Sequence, residues 1–289
     1  MTTRKEPLMN AETRTIDLPG GAVEVRDTGG DAPAVLFVHG AIVDGRLWDR
    51  VWPAVAAAGY RCVMPNLPLG AHRVPLEPGA DLTPAGQADR IAALIDALGI
   101  GPAVVVGNDT GGALSQILAA RHPEAVDRLI LTSSDAFEHF PPKMFKALPL
   151  IARSPRALRL SLKVLGSRPL RNTPLGFGLV SKRPLPGELF DQWLMGIDDP
   201  GVLRDLAGFA VAIRPQLTID AAEALRGFPR PVLLAWSAED PLFPYSDAVK
   251  LAGMLQDARL EPIADSYCFS MLDQPEALAG AITSFLGPA

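Results

Sequence analysis

Only two cysteines occur in the 289 residues, Cys62 and Cys268, too few for a disulfide framework. Cys62 lies in an apolar, strand-like run and reads as a small core hydrophobe, so the expected compartment is a reducing cytoplasm. No apolar run reaches the roughly 18 residues that would cross a bilayer. The polar segment Met1–Asn10 lacks the apolar core of a secretory signal. Stable membrane insertion is therefore not expected, and residues 1–12 read as a flexible tail. A basic excess is missing too: net charge is −5, which argues against nucleic acid as a partner. No group of His, Cys and acidic residues has metal-ligand spacing, no P-loop occurs, and no glycine pattern matches a dinucleotide fingerprint. No metal or other cofactor is expected. Histidine and tyrosine are scarce, with four and three copies, and that scarcity decides the chemistry.

What is present is an ordinary globular composition, 48% hydrophobic and 20% charged, in an alternating rhythm. Thr13 to Leu18 and Ala22 to Asp27 alternate around Pro19-Gly20-Gly21 and predict an edge hairpin. Continuous apolar runs predict buried strands at Pro33–Val38, Tyr60–Met64, Ala103–Gly107, Val126–Thr132, Pro231–Trp236 and Arg259–Ile263. Helical patterns fall between them, at Leu47–Ala58, Thr83–Leu98, Thr110–Ala120, Asp247–Leu255 and Pro275–Phe285. Strands alternating with helices predict an α/β fold, a mostly parallel sheet covered on both faces. The rhythm breaks once, so residues 137–228 are expected to be an inserted helical cap on a core made of 13–136 and 229–289. From Pro141 to Pro186 ten residues are basic and none is acidic. That run reads either as attraction for an anionic substrate, partner or membrane surface, or as the solvated face of amphipathic helices, the commoner outcome.

The stretch from Val104 to Leu114 organises the rest. A β-branched apolar run ends in Gly107, a short turn follows, and a helical pattern starts at Thr110. Such a strand-to-helix elbow projects one side chain from a strained turn, and here the apex is Asp109 rather than serine. Read alone, Asp109 is also compatible with a helix N-cap. Together with His39-Gly40, the inserted helical span and Trp236-Ser237-Ala238-Glu239-Asp240-Pro241, the elbow resembles the α/β-hydrolase superfamily from about Thr13 to Leu286. The resemblance implies the α/β-hydrolase fold and an oxyanion hole from the backbone N–H groups of Ala41 and Thr110. It implies Asp240 as the acid that orients a histidine, against the alternative of an Asx turn before Pro241. Members with aspartate at the elbow look like haloalkane dehalogenases, fluoroacetate dehalogenases and epoxide hydrolases. There a carboxylate displaces a leaving group from carbon, and water must then hydrolyse the ester.

That hydrolysis needs a base, and the family's histidine is missing. Counting back from Asp273-Gln274-Pro275-Glu276, the position falls on Cys268. A thiol titrates at about 8.5, and higher beside carboxylates, so it is a poor base at neutral pH. His39 belongs to the His-Gly turn, and His122 to a helix end before Pro123. His72, in a loop after a strand, and His139, where the insertion begins, remain as replacement bases, unless each is a solvated loop histidine. Asp135 is a further candidate acid. The clamps of the best-known activities are also missing. Thr110 stands where dehalogenases place a halide-binding Trp, Ala41 where many place Asn, and no tyrosine lies in the insertion. Trp48 and Trp193 read as core rather than pocket wall.

The expectation is a hydrolase-fold enzyme acting on a small, largely apolar organic substrate, with Asp109 as nucleophile or general acid/base. The alternatives are a hydrolase-fold enzyme that no longer hydrolyses, acting as a lyase, isomerase or cyclase, and a ligand-binding protein without turnover. A small molecule is the expected partner in each, and a homodimer is left open.

Overall fold

A computed structural model describes residues 10–289. Most of the tail expected at 1–12 lies outside the described residues, and its end is corrected: Glu12 already starts the first strand. Eight strands build one sheet: β1 (Glu12–Ile16), β2 (Val23–Asp27), β3 (Ala34–Val38), β4 (Arg61–Asn66), β5 (Ala103–Asp109), β6 (Val126–Ser134), β7 (Val232–Ser237) and β8 (Ala258–Ile263). Their order is β1-β2-β4-β3-β5-β6-β7-β8. The β1–β2 and β2–β4 pairs are antiparallel, and every later pair is parallel. The sequence accounts for this split. β3 is apolar and buried at all five positions, as a strand covered on both faces must be. β2 alternates buried and half-buried residues, and β1 is an exposed edge.

The helices are α1 (Trp52–Ala57), α2 (Pro84–Ala97), α3 (Thr110–Arg121), α4 (Leu148–Ile151), α5 (Pro155–Leu165), α6 (Gly187–Met195), α7 (Pro200–Ala212), α8 (Pro215–Ala224), α9 (Tyr245–Ala252), α10 (Ser270–Asp273) and α11 (Pro275–Leu286). Capping chemistry sets their starts: Thr83 accepts the Gly86 N–H at 3.1 Å while Pro84 opens α2. Helices α4 to α8 all fall between β6 and β7, where no strand occurs among the described residues.

Three buried carboxylates tie this helical insertion to the sheet. Asp205 of α7 accepts the Leu76 N–H at 2.7 Å. Asp44 accepts the Trp193 indole N–H at 3.0 Å. Asp273 accepts the Ser181 hydroxyl and the Lys182 and Tyr267 N–H groups, at 2.7, 2.8 and 3.0 Å. Buried acceptors satisfied this way fix the insertion's orientation.

The β5–α3 junction is packed so closely that only glycine fits. A Cβ on Gly111 would strike the backbone carbonyls of Val38 and His39, and one on Gly112 would strike the Ser134 side chain. Backbone cannot yield as a flexible side chain can. Gly111→Ala is therefore expected to cost about 1–3 kcal/mol, read as a fall in the thermal unfolding midpoint of about 2–4 °C per kcal/mol.

Candidate active site

Asp109 ends β5 with φ 53° and ψ −131°, a strained conformation for a residue with a side chain. It stands at the N-cap position of α3 but its side chain makes no capping bond. The carboxyl packs against Gly40, where a Cβ would collide with it, and faces an internal cavity. Removal from bulk water pushes Asp109 up to about 7. The Thr110 N–H opposes the shift and the charge of Asp240 adds to it.

A second carboxyl arrives from the neighbouring strand. Asp135 follows β6, and its N–H donates to the Asp109 carbonyl at 3.4 Å. It also lines the cavity. Burial, then the Asp109 charge, raise Asp135 well above its ordinary value, against the Thr110 side chain, which lowers it. Its Oδ1 has no partner. Two acids sharing one desolvated site cannot both ionise cheaply, so the ionisation of one opposes that of the other.

Asp240 follows β7 and closes an Asx-type turn, its Oδ1 accepting the N–H groups of Leu242 and Phe243 at 2.8 and 3.0 Å. Burial raises it to about 6. Its Oδ2 is buried without a partner. Cys268 is wholly buried, and its thiol lies 3.6 Å from the Ser133 carbonyl and 3.7 Å from the Asn108 amide nitrogen. Burial, then the charges of Asp109 and Asp240, push the thiol well above its ordinary value. Cys268 is thus a neutral neighbour of the acids.

Neither replacement histidine is brought to Asp109. The His72 Nε2 faces Asp205 at 3.2 Å, and its Nδ1 accepts the Gly70 N–H at 3.3 Å. The His139 Nδ1 meets Asp247 at 2.5 Å. Both rings are buried, not solvated, and neither lines the cavity. His39 is structural: Nδ1 donates to the Gly40 carbonyl at 2.8 Å while Nε2 accepts the Leu67 N–H at 2.9 Å. Burial lowers it to about 4, so it is neutral.

Ala41 and Thr110, the two residues whose backbone N–H groups an anion hole would use, both line the cavity. The His39–Gly40 loop is pinned just beyond, where Ile42 takes φ 65° and donates its N–H to Leu69 at 2.8 Å.

The cavity holds about 370 Å³ and lies between the strand ends and the insertion. Phenylalanine supplies much of its wall, with Phe140, Phe177, Phe209 and Phe243 among the lining residues. No tyrosine, tryptophan, lysine or arginine lines it among the described residues. Trp48 and Trp193 are buried in the packing, as expected. No cluster of metal-ligating side chains occurs among the described residues. The arrangement can bind a small apolar molecule, hold one oxygen by a protonated carboxyl, and move a proton.

Two residues escaped the sequence reading. Asn108 donates to Thr132, Ser133 and the Cys268 carbonyl, joining the elbow to the loop that carries Cys268. Its signal was a polar residue closing an apolar strand. Asp273 is the buried anchor described above, and its signal was an acid directly before a helix-opening Gln-Pro pair.

Residues 33–275 match the alpha/beta hydrolase fold family. A cis-3-alkyl-4-alkyloxetan-2-one decarboxylase of Xanthomonas campestris pv. campestris is 28% identical over 287 residues, covering 93% of each chain. An AB hydrolase superfamily protein of Gibberella zeae is 36% identical over 119 residues, and that alignment spans 40% of each chain. Among solved structures, a haloalkane dehalogenase of Bradyrhizobium elkani USDA94 superposes with a TM-score of 0.74 at 24% identity, covering 96% of this chain and 98% of that one. At such identity the superposition speaks to the fold alone.

Proposed function

The chain belongs to the alpha/beta hydrolase fold family, and on that premise we propose that it is an enzyme in which water is not a reactant. It acts as a lyase or isomerase on a small, apolar, oxygen-bearing molecule. Asp109 carries the proton, and Asp135, kept protonated, donates a hydrogen bond to the substrate oxygen. The supporting observation is the lack of an imidazole beside Asp109, where the buried thiol of Cys268 lies instead. An ester formed on Asp109 would need a base to activate water, and a neutral thiol supplies none. A carboxyl titrating near 7 suits proton transfer at neutral pH. An acid held neutral by an apolar pocket becomes a hydrogen-bond donor.

A second reading is favoured by the elbow strain and by the decarboxylase relative. Asp109 attacks the ring carbon of an oxetan-2-one and opens it to an ester bearing a free carboxylate. That carboxylate leaves as carbon dioxide, its electrons form the alkene, and the Asp109 carboxylate departs. No water and no base enter this balance either.

Both readings are tested in oxygen-18 water with a panel of cis-3,4-dialkyloxetan-2-ones, and in deuterium oxide with apolar ketones. The expected result is alkene with loss of carbon dioxide, or deuterium at the carbon beside the carbonyl. A labelled hydroxy acid formed faster than by Asp109→Asn would overturn the proposal. The alkaline limb of the pH profile separates the proton-carrier reading, because an attacking Asp109 carboxylate shares the acid limb. Asp109 must be ionised to accept a proton, so kcat/KM rises through about pH 7. It falls again at higher pH as Asp135 ionises, giving a bell. An acid limb near pH 4 would contradict the assignment.

A further inference from the structure

Helices α4 and α5 roof the cavity with Leu148, Ile151, Leu158 and Leu162 turned inward. Apolar side chains also stand on their outer faces: Leu150 and Leu160 are each 66% exposed. Met144 and Leu175 are exposed and also line the cavity, so they form its rim. Isolated surface leucines need no explanation, but several around one cavity mouth do.

Charge surrounds these side chains. Lys143, Lys146, Arg153, Arg156 and Arg168 are exposed, and none forms an ion pair among the described residues. No acid occurs between Pro141 and Pro186, although the chain as a whole carries −5. On α5, Arg156, Leu160 and Val164 recur at helical spacing on the face opposite the buried Leu158 and Leu162, beside Lys163, which pairs with Asp198 at 2.6 Å. These cations do not serve a bound anion, because neither lysine nor arginine lines the cavity. Their complement lies outside it.

We propose that this face, made of α4, α5 and the segments carrying Met144 and Leu175, docks on the surface of an anionic lipid bilayer. Leu150, Leu160, Met144 and Leu175 enter the headgroup–acyl boundary while the cations meet lipid phosphates. The cavity mouth then opens against the membrane, and an apolar substrate passes from lipid to Asp109 without crossing water. This surface function stands independently of the chemistry at Asp109.

The test is flotation of the full chain with vesicles of phosphatidylcholine alone and of phosphatidylcholine with phosphatidylglycerol at about 7:3. Binding is expected on the anionic vesicles only, weakening as salt is raised. Each lysine or arginine near such a surface contributes about fivefold, so Lys143→Glu with Arg153→Glu lowers the affinity by at least about 25-fold. Leu150→Ser with Leu160→Ser lowers it as well. Both double variants lie on exposed positions and are expected to keep the parent unfolding midpoint, which separates lost docking from lost folding. No binding to anionic vesicles, equal binding to neutral ones, or unchanged binding of the folded charge-reversed variant overturns the proposal.

Discussion

Asp109→Asn lowers kcat/KM by about 10²–10⁴-fold, the span expected when a positioned proton-transfer group is removed. The amide keeps the shape of the carboxyl against Gly40 but cannot titrate. The same substitution stabilises the fold above neutrality. The folded-state value of Asp109 is raised to about 7 from an ordinary 3.8, with burial as the main cause. A raised acid contributes stability that is complete below about pH 4. That contribution is lost progressively as pH rises through about 7, where the native chain must hold a buried charge. The asparagine variant does not lose it. Its unfolding midpoint matches the parent at pH 4, exceeds it increasingly up to about pH 7, and keeps a constant lead beyond. Activity lost with stability gained is the signature of a site strained for function. An asparagine variant less stable than the parent at pH 8 would remove the basis for an elevated Asp109.

Cys268→His is expected to raise hydrolysis, the reaction that the proposed chemistry of the parent leaves out. The substitution places a titratable ring beside Asp109 and Asp240, whose Oδ2 is buried and without a donor. A ring N–H on that oxygen satisfies it and stabilises the ionised acid, so the Asp240 value falls below about 6. The opposite ring nitrogen then activates water against an Asp109 ester. A gain of about 10²–10⁴-fold in labelled hydroxy acid from oxygen-18 water is expected, the range of one general base. The ring is larger than the thiol in a fully buried site, at a cost of about 1–3 kcal/mol from overpacking. Cys268→Asn, polar but not basic, is the control and leaves hydrolysis at the parent level. If histidine and asparagine behave alike, the missing base is not what sets the reaction.

How much of this was legible beforehand varies with the kind of signal. The parallel sheet was, because apolar runs such as Ala34–Val38 admit no other burial. The strand-to-helix turn at Asp109 was, because Gly107 and Gly111 frame it within a few residues. Counting from the following helix put Cys268 at the histidine position, an expectation read from sequence alone; in the fold, burial and the charges of Asp109 and Asp240 push its thiol up. The histidines could not be read, since nothing local to His72 or His139 reveals Asp205 or Asp247. Each carboxylate is more than 100 residues away in sequence and is met only through tertiary packing. Asp135 was visible as a spare acid. Its place in the cavity wall depends on β6 lying next to β5, a pairing that sequence spacing does not encode.

The most direct measurement is a carbon-13 titration of the aspartate side-chain carboxyls in the intact protein, with the Asp109 signal assigned by its loss in Asp109→Asn. The account predicts a midpoint near 7 for Asp109 and an Asp135 midpoint raised well above the ordinary aspartate value. An Asp109 carboxyl that titrates near 4, as an ordinary solvated aspartate does, would contradict it.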